Sequence, residues 1–315
     1  MGRQLESFHG FIGQTDIVKS LKEHCAGALS KGGSSSMLPH VLLAGPSGHG
    51  KTHLAVALGK EMGVTTHSVF SSPQAKRWQI ARDLAKLQKG DIFFVDEIHS
   101  LADSVQEIFY SAIDNLRVPV VDAETHRIAE NEWVSIPPFT MVAASDQPGK
   151  LVNALRQRLV LRFTLSDYDE ESLRAIVSNH AAEMKILLSG QAARRIAQAA
   201  RGVPRRAKHL LQSLHTVMSD ENIAVTRAIT NRHLASIGID KDNLTPTDRA
   251  YLGVLCRRGG FVSLEVISQQ INVDDLTAKR EIEHYLIKQE LIGIDSRGRY
   301  LTEKGKKFVT ERKLA

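Results

Sequence analysis

The sequence predicts an α/β fold: a parallel sheet built around a phosphate-binding loop, then an all-helical segment, then a C-terminal helical module carrying a two-stranded wing. Three observations predict it. Short runs that are apolar along their whole length, His40-Val-Leu-Leu-Ala44, Asp91-Ile-Phe-Phe-Val95 and Phe139-Thr-Met-Val-Ala-Ala144, alternate with helical patterns, as strands of a parallel sheet covered on both faces do. A glycine-rich loop ending in Gly50-Lys51-Thr52 follows the first run directly. After Ser166 the apolar spacing stays helical to about His233, and the last seventy-odd residues read in the order helix, helix, helix, strand, strand.

Taken in order, apolar residues at Ile17, Val18, Leu21, Cys25 and Leu29 mark a helix over 16–29, and Lys31-Gly-Gly-Ser-Ser-Ser36 is a flexible loop. The first strand delivers the glycine loop, which opens a helix over 53–61. Val118-Pro-Val-Val-Asp122 and Glu132-Trp-Val-Ser-Ile136 read as two strands with a polar tip, placed just ahead of the third buried run. Asp240-Lys-Asp-Asn-Leu-Thr-Pro246 is a linker. Beyond it lie helices over 247–257, 263–271 and 275–289, with a Gly259-Gly260 break, and strands over 291–295 and 300–302 joined by Ser296-Arg-Gly-Arg299, a winged helix-turn-helix pattern. Domains are expected at 1–164, 165–240 and 241–315.

Of the 315 residues, 42% are apolar and 24% charged, and no stretch of roughly 18 apolar residues would span a bilayer. A secretory start is not evident, and two cysteines cannot build a disulfide framework or a four-cysteine zinc site. A cytoplasmic location is the expectation. The net charge of +6 is unevenly spread: residues 1–150 carry 14 basic and 16 acidic side chains, 151–240 carry 13 and 8, and 241–315 carry 14 and 11. The excess of base behind residue 150 suggests a polyanion met by the C-terminal part.

Gly45, Pro46, Ser47, Gly48, His49, Gly50, Lys51 and Thr52 fit G-x-x-x-x-G-K-[ST] in the strand-loop-helix setting that motif needs. Backbone N–H groups of such a loop curl around phosphate oxygens, the helix N-terminus adds its positive end, the lysine reaches the β- and γ-phosphates, and the threonine hydroxyl ligates Mg²⁺. The second buried run ends in Asp96-Glu97: Asp96 is placed to hold the metal and its water, Glu97 to polarise an attacking water. The implied chemistry is hydrolysis of a nucleoside triphosphate. The third run ends in Ser145-Asp146, beside Glu97 in a doubly wound sheet, where a polar side chain can orient that water. Arg156 and Arg158 share one helical turn, and Arg201-Gly-Val-Pro-Arg205-Arg206 is a basic helix start. By themselves these arginines read as solvated surface. Arg297 and Arg299 flank Gly298 at the wing tip, with Lys304, Lys306 and Lys307 following. Both guanidiniums are expected to project onto nucleic-acid phosphates, a contact that carries no sequence information.

Together the phosphate loop, Asp96-Glu-Ile-His-Ser-Leu101, Ser145-Asp146, Arg156-Gln-Arg158 and Gly202-Val-Pro-Arg205 resemble the AAA+ ATPases. More narrowly the chain is similar to the RuvB family through Phe11-Ile-Gly-Gln14, Glu61-Met-Gly-Val64, Gly90 to His99, Ile136-Pro-Pro-Phe-Thr140, Arg201 to Arg205, Asp248-Arg249 and Ser296-Arg-Gly-Arg299, in the right order over nearly the whole chain. The resemblance implies an ATPase domain, a helical lid and a winged helix, with ATP and Mg²⁺ as cofactors. It also implies a homo-oligomer, a hexameric ring, on duplex and four-way junction DNA. It makes Arg158 the finger acting on a neighbour's ATP, Asp146 or Ser145 the first sensor, and Arg205 the second sensor. Tyr168 would face the adenine, and Phe11 and Ile12 would lie near the base. The 118–136 hairpin would dock a RuvA-like junction-binding partner through Trp133 and Val134.

Departures from the family pattern are Ser47 and His49, where it has Pro and Leu, and Asp146, where it has Thr. A carboxylate there is repulsive to a γ-phosphate unless turned toward a cation. The expected activity is an ATP-dependent motor driving branch migration of four-way junctions. The competing expectation is an ATP-switched DNA-binding loader or adaptor in replication or transposition, which would need ATP binding but not hydrolysis. A protein-remodelling chaperone would need an aromatic pore loop, and only Trp78 in the 71–78 stretch suggests one.

Overall fold

The computed structural model describes residues 7–31, 37–122, 124–218 and 223–314. The start (1–6) and most of the expected flexible loop (32–36) lie outside the described residues. The chain forms two compact units. One runs to residue 184 and takes in 202–209; the other holds 185–201 and the chain from 210 onward.

In the first unit the strands are β1 (Val41–Ala44), β2 (Thr66–Phe70), β3 (Ile92–Asp96), β4 (Arg117–Val121), β5 (Ile128–Ser135), β6 (Thr140–Ser145) and β7 (Leu161–Thr164). Five of them make a sheet in the order β2-β3-β6-β1-β7, with every neighbouring pair parallel. The three runs read from sequence are its centre, β1, β3 and β6, and each is buried at every residue. The two outer strands, β2 and β7, were not among the expected elements.

Strand pleating splits the core in two. Leu42, Phe93, Val95, Met141 and Ala143 face one layer with Phe109, Phe139 and Ile80. Val41, Leu43, Ile92, Phe94, Val142 and Ala144 face the other with Leu21, Leu54 and Leu58. That period of two sends alternate side chains to opposite faces, and both faces are covered.

The helix after the phosphate loop spans Lys51–Met62, beginning one residue after Gly50 (φ 99°) and ending at Gly63 (φ 67°). β4 and β5 pair antiparallel, with Val118 opposite Val134 and Pro119 opposite Trp133. Val118 and Ile136 root this hairpin in the core. Trp133 and Val134, successive residues on β5, are 45% and 42% exposed, so the hairpin shows solvent on both faces at that level.

The second unit holds the helices Gly190–Ala199 and Arg227–Ser236 and the later part of Pro204–Thr216. Ser189 and Thr226 cap the first two through their hydroxyls. The winged module follows: Pro246–Arg258, Leu264–Ile271, β8 (Ile292–Asp295), β9 (Gly298–Leu301) and a closing helix, Glu303–Arg312, which the sequence reading did not include. The helix expected over 275–289 is helical from Asp275 to Lys288 but carries a π segment at Ala278–Glu283. Tyr251, Leu252, Leu255, Ile267, Leu286 and Val309 pack at its centre.

A buried ion pair ties Arg201, just before the Gly202-Val-Pro-Arg205 stretch, to the first helix of the winged module. The Arg201 guanidinium meets Asp248, with side chains 4% and 1% exposed, donates through Nε to the Asn243 carbonyl at 3.0 Å, and lies 3.8 Å over the Tyr285 ring.

Candidate nucleotide site and wing

β1 ends where the loop begins, and Gly45 N–H donates to the Ser145 carbonyl at 3.1 Å, fixing the loop against the end of β6. Gly48 takes φ 82°, and a Cβ there would stand 2.9 Å from Cβ of Arg205; the position needs glycine both for its backbone and for room. Lys51 reaches back over the loop, Nζ donating to the carbonyls of Gly45 (2.8 Å) and Pro46 (3.1 Å). Burial lowers its pKa, against the pull of Glu97, Asp96 and Asp146. Thr52 Oγ1 donates to Asp96 Oδ2 at 2.8 Å. A hydroxyl and a carboxylate in contact, both oxygen donors, suit a hard divalent cation such as Mg²⁺.

Glu97 sits in the left-handed region (φ 52°, ψ 39°), an uncommon place for a side-chain-bearing residue and one found at working sites. Burial raises its pKa, and the neighbouring Asp146 raises it further, while Lys51 and His99 oppose. His99 gathers this corner. Its Nδ1 lies 3.1 Å from Ser145 Oγ and 3.5 Å from Glu97 Oε2. Its Nε2 lies 3.4 Å from Asp146 Oδ1 and 3.1 Å from Gln147 Nε2. The Asp146 carboxylate therefore leans on an imidazole. His99 and Gln147 were not among the site residues expected from sequence.

The departure at His49 has a partner too. His49 is buried, with Nδ1 3.1 Å from the Ser47 carbonyl and Nε2 2.9 Å from Asp167 Oδ1. The buried imidazole is thus matched by Asp167, 118 residues on. Next to it the Tyr168 hydroxyl donates to the His49 carbonyl at 3.0 Å, and burial pushes its pKa up to about 12. The Tyr168 ring packs against Gly13, where no Cβ would fit. Phe11 reaches the Gly50 side of the same loop, and Gln14 bonds both ways with Ser166 (2.7 and 3.3 Å). Tyr168 and Phe11 thus brace the loop, with Ile12 half-buried beside Phe11. Arg205 Nη1 donates to Ser47 Oγ at 3.0 Å, so this guanidinium touches the phosphate loop.

Arg156 bonds Asn153 of its own helix at 3.1 Å. Arg158 Nε donates to both Asp114 oxygens at 2.9 and 3.0 Å, and its Nη1 donates to the Ala154 carbonyl at 2.7 Å. Trp133 on the hairpin lies under the Arg117 guanidinium, 4.9 Å from the ring.

At the wing the expectation is corrected. Arg299 does not project: its Nε donates to Glu283 Oε1 at 2.8 Å, and the same oxygen accepts the Tyr251 hydroxyl at 2.6 Å. Glu283 is 3% exposed, and a buried carboxylate needs a cation. Gly298 (φ 135°) serves close approach, since a Cβ would stand 2.6 Å from the Val262 carbonyl oxygen. Arg297 is the outward side chain, paired with Asp295 at 2.9 Å and 3.6 Å over the Phe261 ring. Lys304 and Lys306 are paired with Glu290 and Glu303.

Residues 4–165 match the family model described as the Holliday junction DNA helicase RuvB P-loop domain. Residues 168–240 match the RuvB AAA lid domain and 241–310 the RuvB C-terminal winged helix domain. The chain is 32% identical to the Holliday junction branch migration complex subunit RuvB of Fervidobacterium nodosum over 304 residues, 95% of this chain and 86% of that one. It is 34% identical to the RuvB of Ehrlichia chaffeensis over 296 residues, 93% of this chain and 89% of that one. Among solved structures, the Thermotoga maritima RuvB Holliday junction branch migration motor superposes with a TM-score of 0.80 at 30% identity, over 98% of each chain. Matched from residue 4 to residue 310 by three successive RuvB models, with relatives of that name along nearly its whole length, the chain belongs to the RuvB family.

Proposed function

We propose that this chain is an ATP-driven motor that moves the branch point of four-way DNA junctions, working as a ring of copies with a RuvA-like partner. The observation that carries the reading is the convergence at one sheet edge of Lys51, the Thr52–Asp96 pair and Glu97, in a chain whose relatives are named for branch migration. Lys51 holds the β- and γ-phosphates, and its ammonium exchanges the loop carbonyls for phosphate oxygens. Thr52 and Asp96 would hold Mg²⁺, which would neutralise phosphate charge. Glu97 takes the proton of the attacking water. Ser145 and Asp146 form the first sensor, with His99 turning the Asp146 carboxylate aside, and Arg205 on Ser47 reports the state of the loop. Tyr168, Phe11 and Ile12 form the wall on which the base rests. Arg158 acts on the ATP of the adjoining copy. Arg297 touches DNA phosphates, and Trp133 and Val134, exposed apolar side chains on the two faces of the hairpin, receive the partner.

The test is strand exchange on a synthetic four-way junction, with and without a RuvA-type protein. Product that depends on ATP and is lost in Glu97→Gln supports a motor. If Glu97→Gln keeps full biological function while hydrolysing nothing, the chain is an ATP-switched loader instead.

A further inference from the structure

The Arg158 guanidinium is already held within its own copy. Nε donates to Asp114 Oδ1 and Oδ2 at 2.9 and 3.0 Å, and Nη2 donates to Asp114 Oδ2 as well. Nη1 donates to the Ala154 carbonyl at 2.7 Å, and the Tyr110 ring lies 4.9 Å beneath the group. A guanidinium has five N–H donors. The side-on grip of Asp114 takes the Nε–H and one Nη2–H, and Ala154 takes one Nη1–H. Two donors remain, one on each terminal nitrogen, the pair that meets two oxygens of a phosphate end-on. Three partners from two helices, Ile108–Asn115 and Asn153–Arg158, are more than a surface arginine needs to stay soluble. Arg158 in turn holds the Asp114 carboxyl below its ordinary range through their hydrogen bonds. The Tyr110 hydroxyl, buried, finds no hydrogen-bond partner among the described residues, which leaves the ring face as the useful part of that side chain.

We infer that Asp114, seconded by Tyr110, is a positioning residue: it presets Arg158 so that the two outer N–H groups face the phosphate of the adjoining copy's ATP. The inference rests on reading Arg158 as a residue acting in trans. A flexible arginine would have to be ordered at each turnover; a guanidinium fixed beforehand is pre-organised for the charge that develops in the transition state.

The experiment is steady-state ATPase with duplex DNA on full-length chains. Asp114→Asn, which keeps shape but loses the ionic grip, is expected to lower kcat about tenfold with KM for ATP within about twofold, and Tyr110→Leu, which leaves every ion pair in place, about threefold. Arg158→Ala should lose about a hundredfold or more. Each is then mixed one to one with Lys51→Ala, whose copies lack the phosphate lysine but carry an intact Asp114–Arg158 pair. Positioning in trans predicts mixed activity above the mean of the two variants alone, several-fold for Asp114→Asn and about twofold for Tyr110→Leu, because some interfaces join a sound phosphate loop to a sound arginine. Arg158→Ala failing to be rescued overturns the trans reading of Arg158 itself. Arg158→Ala rescued, with Asp114→Asn and Tyr110→Leu both at wild-type kcat or slowed without rescue, overturns the positioning role alone.

Discussion

Replacing Arg201 by methionine tests whether the buried pair with Asp248 holds the second unit together. Methionine keeps much of the packing volume over Tyr285 but removes every hydrogen bond, including the one to the Asn243 carbonyl. Asp248, 1% exposed, would keep only its two donors from Thr245, N–H and Oγ1, both at 2.6 Å. Stranding a buried charge costs about 3–5 kcal/mol, and the two surviving Thr245 bonds put this case near the lower end, about 3 kcal/mol. For a unit of this size about 3 °C of melting temperature goes with each kcal/mol, so the drop should be roughly 10 °C. Adding Asp248→Asn to Arg201→Met removes the stranded charge and should return part of the loss. Both tryptophans, Trp78 and Trp133, belong to the first unit, so their emission reports that unit alone. Far-UV circular dichroism, which sums the helices of both units, should gain a lower-temperature component while the tryptophan transition stays. A shift under about 2 °C, or a double variant no better than the single, would refute the reasoning.

Three further outcomes are expected. Thr52→Val removes the hydroxyl that donates to Asp96 and should raise the Mg²⁺ concentration needed for half-maximal ATPase about tenfold, read from a Mg²⁺ titration at fixed ATP; an unchanged requirement would separate Thr52 from the metal. His40 has its pKa pushed down from 6.5 to about 4, chiefly by burial, and its Nδ1 accepts the Met141 N–H at 2.9 Å. The fold holds the neutral ring, so its contribution is fully present above pH 6.5 and is lost as pH falls toward 4, by about 3 kcal/mol in all. His40→Asn, which keeps an acceptor but cannot titrate, should flatten that part of the stability curve in urea titrations across pH 7 to 4. Finally, Arg297→Ala should weaken duplex binding and reduce the slope of log K against log salt by about 1, whereas Arg299→Ala should lower the melting temperature by stranding Glu283. Equal effects of the two on the salt slope would reverse the assignment.

What could be read from sequence follows burial. β1, β3 and β6 are buried at every residue, so composition alone marks them. Thr66-His-Ser-Val-Phe70 and Leu161-Arg-Phe-Thr164 lie at the edges, mix polar with apolar residues, and carry partly exposed positions; the alternation of Leu161 to Thr164 has the strand period but is only four residues long, and Thr66 to Phe70 lacks an apolar run. The glycine loop and Asp96-Glu97 are local in sequence and were legible. Pairings across long separations were not: His49 with Asp167, Arg158 with Asp114, and Arg299 with Glu283 each join segments that no short window contains. The last explains why an Arg-Gly-Arg tip misleads, since spacing cannot tell which guanidinium has a buried carboxylate waiting behind it.

That inward turn of Arg299 has a consequence for how the molecule would travel. With Arg299 held by Glu283 and Arg297, Lys304 and Lys306 each sharing its charge with a nearby carboxylate, the grip of one wing on a passing phosphate would be weak and short-lived. If the copies assemble as proposed, several such grips would add through avidity, the whole staying threaded while any single copy lets go and takes hold further along, which is the condition for walking without falling off.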